Sequence, residues 1–482
     1  MKIQLTSLLF FAAAVLPSSA IERISVLPSG SGHSGAVNSP FISPDSGIVA
    51  FESTDTGFVD SNDSHRQVYA YSAQTKTFSL VSVDGAGNAA SADCSVKGIG
   101  AGGHVLFQTT AALDPEDNNG TFDVYLRDLG ESKTYWVSFP ESDQAADGNC
   151  FGEAVSRDGR FVLFTSSATN LISPSPGSGV AHLYRLDRTN GELTLISQST
   201  GETQGNGDCF GADISEDGMR VVFGSDADNL IDGGGDTNGT TEDIFIRDLS
   251  PSTPTTKVVS LSDTGSQLSD SSSNPSISDD GNLVCFRSDS PDVVSGVDPG
   301  LSNNFQIYIR VLTADTTLHV SRSNTGDVAE LQCQRPEMSR NGRYVVFYSK
   351  ADNLAQASPA SQWDVFARDL ETGITARVSV TASGGIGNGD STRASVSDNG
   401  IVAFLSEASN LVPDDDEGFE DVFTAPANTS PASSNSVLKA SLLSKLKKLK
   451  KKAKKAKKSG KVAKAKKFKK KIKTLKKRIN SL

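Results

Sequence analysis

Seven times along the chain, a small residue, a glycine-bearing turn and an apolar run ending in Phe recur in that order. The copies read "SPDSGIVAF", "GAGGHVLF", "SRDGRFVLF", "SEDGMRVVF", "SDDGNLVCF", "SRNGRYVVF" and "SDNGIVAF". Their last residues are Phe51, Phe107, Phe164, Phe223, Phe286, Phe347 and Phe404, spaced by 56 to 63 residues. A near-constant period of this length marks an array of supersecondary units, each of which needs its neighbours to bury its apolar face.

Each copy continues alike. A variable polar loop leads to a second apolar run ("QVYAYS", "DVYLRDL", "HLYRLDR", "DIFIRDL", "QIYIRVL", "DVFARDL", "DVFTAPA"), and a short turn leads to a third ("FSLVSV", "TYWVSF", "ELTLIS", "TKVVSL", "TLHVSR", "TARVSV"). A Gly/Ser/Asp-rich connection then enters a short run such as "EAVS" or "PSIS" before the next turn. Short segments rich in Val, Ile, Phe and Tyr, bounded by Gly, Asn, Asp and Ser, read as strands. We label them A to D, with A preceding the turn. In "S-x-D-G" the Ser and Asp oxygens can take nearby backbone N–H groups, and Gly accepts the positive φ of a tight A–B hairpin. Four-stranded antiparallel units arranged radially predict an all-β, seven-bladed β-propeller. A solenoid would need capping repeats, and the sequence offers none.

The seventh copy stops after strand C, "DVFTAPA". The stretch "IERISV", Ile21 to Val26, has the pattern of the missing strand D; compare "TARVSV". We expect it to pair beside Asp421 to Ala427 and close the ring, leaving no open seam.

Repeats such as "VSRDGRFVLF", with "ADNL" after the Phe strand in copies four and six and "DVFARDL" beyond it in copy six, resemble TolB-type (WD40-like) β-propeller repeats over about Ile21 to Thr429. Copy two departs, with Gly100 and Gly102 in place of Ser and Asp, and copy five has "SPDVV" in place of "ADNL". The resemblance implies the propeller fold. Similar repeats occur in periplasmic accessory proteins, peptidase propeller domains and other secreted proteins, so it does not fix a task.

Catalytic motifs are sparse. His33, His65, His104, His182 and His319 stand in unlike contexts without metal-ligand spacing, and no G-x-S-x-G elbow is present. The B–C loops and the D–A connections should share one face. A protein or glycan ligand is expected there, and a carbohydrate hydrolase using two loop-face carboxylates is the alternative. The B–C loops are rich in Asp and Asn. Asp232, Asp236, Asn238 and Asp243 are the best candidate ligands for Ca²⁺, which takes roughly six to eight oxygens. Asp114, Asp117, Asn119 and Asp123 are their counterpart two blades earlier. The spacing does not match a full D-x-[DN]-x-[DN]-G-x5-E calcium loop, so turn formation by the same Asx side chains is the favoured reading, and no cofactor is required.

Cys94, Cys150, Cys209 and Cys333 all lie six positions before the first residue of the A–B turn, at the start of strand A. Buried free thiols are the first expectation; the same four are disulfide candidates, with Cys150–Cys209 or Cys94–Cys150 as the pairing to test, and a soft-metal ring is the poorer alternative. Cys285, within "LVCF", belongs to the core.

The two ends differ from the repeats. Lys2, the apolar run Leu8 to Leu16 and the small residues up to Ala20 read as a signal peptide over residues 1–20, too short to span a bilayer. All 57 acidic residues precede Pro431, whereas 22 of the 46 basic residues lie in Lys439 to Arg478, which leaves −33 on the body and +22 on the tail. Residues 432–482 are a linker and a lysine-rich tail, disordered alone or folded as amphipathic helices on a polyanion, with a hinge at Ser459–Gly460. Lys447, Lys448, Lys451, Lys454, Lys455, Lys458, Lys466, Lys467, Lys470 and Lys471 are its expected anion-binding residues. The sequence thus predicts an exported, periplasmic or extracellular binding or scaffolding propeller, residues 21–431. Its tail is expected to attach to an anionic envelope, matrix or other polymer.

Overall fold

In the computed structural model, residues 21–427 are described except 60–63, 141–144, 178, 234, 298–303, 356–361, 414 and 416–417. The expected signal peptide and the lysine-rich tail, with its ten candidate lysines, lie outside the described residues.

Strands A to D of the first blade are Val37–Ile42, Ile48–Ser53, Gln67–Ser72 and Thr77–Leu80, hydrogen-bonded in that order. The same antiparallel order recurs in blades two to six. The later A strands are Cys94–Ile99, Cys150–Val155, Cys209–Ile214, Ser272–Ile277, Cys333–Met338 and Ser391–Val396. Blade seven takes its strand D from the other end of the chain. Glu22–Arg23 pairs with Asp421–Pro426, Glu22 opposite Thr424 and Arg23 opposite Phe423. Ser25 completes the equivalence: its hydroxyl donates to Asp421, as Ser379 Oγ donates to Asp364 at 2.8 Å one blade earlier.

The turn residues act as their chemistry requires. Ser156 Oγ donates to Asp158 at 2.7 Å and accepts the Phe161 N–H at 2.9 Å, and the same pair of bonds recurs at Ser43, Ser215, Ser278, Ser339 and Ser397. Gly218 shows why glycine ends the motif: its φ is +70°, and an added Cβ would lie 2.3 Å from the Phe161 ring. In blade one Ser46 stands at the glycine position and takes the left-handed conformation itself.

The seven repeat-ending phenylalanines are fully buried. Each stands opposite an aromatic residue of strand C, from Phe51 with Tyr69 to Phe404 with Phe423, with ring centroids 5.5 to 6.1 Å apart. Such pairs add about 0.5–1.5 kcal/mol each to the area they bury. Seven apolar cores result, one between each pair of neighbouring blades. The core that joins the ends contains Ile24, Phe51, Leu405 and Val422.

The "ADNL" stretch is a clip. Asn229 and Asn353, with Asn170 and Asn410 in the related blades, donate their side-chain N–H to Gln204, Val328, Ala145 and Ile386 carbonyls in the preceding D–A connection at 2.6 to 3.0 Å. The next residue, Leu171, Leu230, Leu354 or Leu411, is buried. These bonds tie the B–C loops to the D–A connections, so both lie on one face, as expected.

Candidate functional site

Every inner strand A is broken by a bulge, where its pairing with strand B slips. A bulge strands a backbone N–H, which must find another partner. The preceding blade supplies one each time around the ring. The N–H groups of Ile42, Val96, Gly152, Ala212, Ile277 and Met338 donate to Ser395, Glu52, Gln108, Glu153, Asp213 and Ser276 at 2.9 to 3.4 Å. Val396 donates to Glu337. This belt accounts for most of the carboxylates near the axis.

The position x of the S-x-D-G turns closes the axis at the opposite face. Arg157 of blade three spans the ring to Asp279 of blade five at 2.9 Å and Asp398 of blade seven at 2.6 Å. Arg340 of blade six reaches Asp213 at 2.8 Å and the carbonyls of Ile214 and Val155 at 3.0 Å. Backbone bonds join the same turns, among them Glu216 N–H to Asp279 and Asp279 N–H to Arg340.

Between belt and turns lies a cavity of about 670 Å³ to which all seven A strands contribute, with Arg66 and Asn38 toward the loop face. That volume suits a small ligand. Its wall is charged. Burial pushes Glu337 up to about 8 despite Arg340 nearby, and it raises Glu153 as well. Glu52 is raised by burial too, although Arg66 lies 3.5 Å away. At the closed end, burial holds Asp279 at about 6 against the pull of Arg340 and Arg157.

The loop-face candidates divide. Asp236 Oδ1, Asn238 Oδ1 and Asp243 Oδ2 converge on one atom, the Gln267 side-chain nitrogen, at 2.9, 2.8 and 2.8 Å. Gln267 Oε1 meanwhile accepts from Thr237. Asp232 stands apart and accepts the Gly201 N–H at 2.9 Å. In the counterpart loop Asn119 donates to Asp123, Asp117 accepts the Tyr125 hydroxyl, and Asp114 accepts the Glu116 N–H. Among the described residues no cluster of three or more His, Cys, Asp or Glu is placed to hold a metal ion.

The four equivalent cysteines are buried free thiols, the outcome the sequence favours, and neither candidate disulfide, Cys150–Cys209 or Cys94–Cys150, is formed. Cys94, Cys150, Cys209 and Cys333 are free and buried, because the turn from blade to blade puts each into a different inter-blade core. Burial pushes each of these four thiols up to about 12. Cys285 is a core residue, as its sequence suggests. The histidines are scattered: His33 contacts Asp421, His104 contacts Asp128, His182 bonds Ser197 and His319 bonds Ser321.

The belt and the turn network escaped the sequence reading. Their trace is the polar residue two before the turn Ser in "ADIS", "PSIS", "PEMS" and "ASVS", and the charged x in five of the seven turns.

No family description matches the chain, and no curated protein sequence does. The chain is similar to several solved structures at low identity. A puromycin-hydrolyzing peptidase of Mycobacterium tuberculosis is 12% identical, with a TM-score of 0.46, over 86% of this chain and 55% of its own. A prolyl endopeptidase is 12% identical, with a TM-score of 0.43, over 79% and 48%. Kuenenia stuttgartiensis hydrazine synthase is 13% identical, with a TM-score of 0.35, over 68% and 82%. The chain spans about half the length of both peptidases.

Proposed function

We propose that the chain is an exported propeller that works as a binding or scaffolding module. A ligand is taken at the loop face and the mouth of the axial cavity, and the lysine-rich tail attaches the molecule to an anionic surface or polymer. The observation that carries this reading is the cavity itself: seven inner strands frame it, cross-ring ion pairs close one end, and the other end meets the variable loops. The segregation of +22 charges beyond Pro431 supports the tail's part in it. Among the described residues no helix is long and apolar enough to cross a membrane.

The test compares the full chain with one truncated after Pro431, on anionic and on neutral vesicles and in pull-downs. Capture of anionic vesicles by the full chain only, lost above about 0.5 M salt, supports the tail's role. Retention undiminished at that salt overturns it.

One observation favours the hydrolase alternative. Glu242, on the loop face before strand C of blade four, is held at about 7 by burial, in the range of a general acid. Oligosaccharide cleavage abolished by Glu242→Gln would establish it. For calcium at the neighbouring loop, the ion would have to displace the Gln267 amide from Asp236, Asn238 and Asp243. A melting temperature that rises with millimolar Ca²⁺ supports that site, and an unchanged one rejects it.

A further inference from the structure

The charges in the cavity are unevenly matched. Arg66 is spoken for by Glu52 and Arg340 by Asp213. Glu153 and Glu337 serve the belt, and neither forms an ion pair among the described residues. Three cations remain, Lys97 from blade two, Arg335 from blade six and Arg393 from blade seven, all on the cavity wall and none of them ion-paired among the described residues. Arg393 is steadied by Ser39, to which it donates at 3.2 Å, and Arg335 is exposed to the cavity. Lys97 is near enough to act on Glu153 and Glu52, and Arg393 on Glu52; with five cations against the four carboxylates Glu52, Glu153, Asp213 and Glu337, the lining is still net positive by one, on a body with a net charge of −33.

The backbone adds an independent observation. The third residue of strand A is left-handed in blades one, four, five, six and seven, at Ser39, Gly211, Asn274, Arg335 and Arg393. Glycine and asparagine fill two of those places at little cost. Arginine at φ +44° and +47° costs on the order of 1 kcal/mol each. The conformation comes with the bulge in all five blades; what sets blades six and seven apart is that a long cation is kept at the strained place. Both arginines are aimed at the same volume.

We propose that the axial cavity is a receptor for a small organic anion with two or more oxyanion groups, carboxylate or phosphate, held by Arg335, Arg393 and Lys97. The guanidinium groups would grip oxyanions in bidentate fashion, and Lys97 would supply a point charge from across the ring. This rests on the reading of the loop face and cavity as the ligand site, and it is independent of the tail.

The experiment is calorimetric titration of the full chain at about 0.15 M salt with citrate, with pyrophosphate and with glucose as a neutral control. The expected result is saturable one-site binding of citrate or pyrophosphate and none of glucose; which of the two binds more tightly separates carboxylate from phosphate ligands. Arg335→Gly, which the backbone accepts as blade four accepts Gly211, should weaken binding by about tenfold or more while holding or raising the melting temperature. Arg393→Gln and Lys97→Met should weaken it similarly. Absence of saturable binding by either anion overturns the proposal. So does binding that survives these changes and vanishes when Lys447 and Lys448 are replaced by Gln, which would place it on the tail. Protein or glycan capture by a chain that ignores both anions would leave the loop-face reading standing and this one refuted.

Discussion

Arg23 stands in register with Phe423, and its guanidinium meets the carboxylate of Asp421 at 3.4 Å and that of Asp415 at 3.0 Å, joining positions 398 and 392 residues apart in the chain. The side chains of all three charged residues are at most 9% exposed. Removing the cation leaves two buried carboxylates facing each other without it. Arg23→Ala should cost about 3–5 kcal/mol, read as a fall in the denaturant midpoint at constant slope. A loss below about 0.5 kcal/mol would show that the strand's backbone pairing alone holds the seam.

The same seam is sensitive to pH. Burial would lower His33, but the hydrogen bond and charge of Asp421 raise it above 6.5. Asp421 is lowered, because bonds from His33 and Ser25 overcome its burial. A raised histidine gives stability that is full below its unfolded pKa and lost as pH rises through the folded one; a lowered carboxylate gives stability lost as pH falls through its folded pKa. Melting temperature should therefore drop on the alkaline side, above about pH 6.5, and again in acid below about pH 4. In His33→Gln the alkaline drop should disappear while the acid one remains. Identical profiles for the two proteins would refute the assignment.

At the closed end, Arg157 holds Asp279 and Asp398 together. Asp279, raised to about 6 by burial, carries a proton more readily folded than unfolded, so its contribution weakens as pH rises through 6. Arg157→Met should raise it further and cost about 2–4 kcal/mol at pH 7, less at pH 5. Melting curves at the two pH values would show the difference, and a penalty equal at both would contradict it.

The thiols give a chemical test. Four are pushed up to about 12, and all five are buried and free. A thiol-specific reagent at pH 8 should label none in the native protein, and all five after denaturation without reductant. Three or fewer labelled after denaturation would establish a disulfide.

What the sequence disclosed follows from range. The S-x-D-G turn, the cross-strand aromatic pairs and the missing strand D are patterns within one repeat, and period and composition expose them. The belt is different: Glu52, Gln108, Glu153, Asp213, Ser276, Glu337 and Ser395 do one job with four residue types on two strands. Only the bulge register brings each to its neighbour's N–H. The Asp/Asn loop after Asp232 was visible as an oxygen-rich cluster, but its partner Gln267 comes from the connection after strand D and carries no local mark. The equivalence of the cysteines was legible and their separation was not, because it depends on rotation about the axis.

The seam also sets an order of events during synthesis. The edge that completes blade seven is among the first parts of the ring to be made, and it must wait, unpaired, for some four hundred residues before its mate emerges. Until then the growing chain exposes a strand able to join the wrong neighbour, so a chaperone or a companion blade has a definite segment to guard.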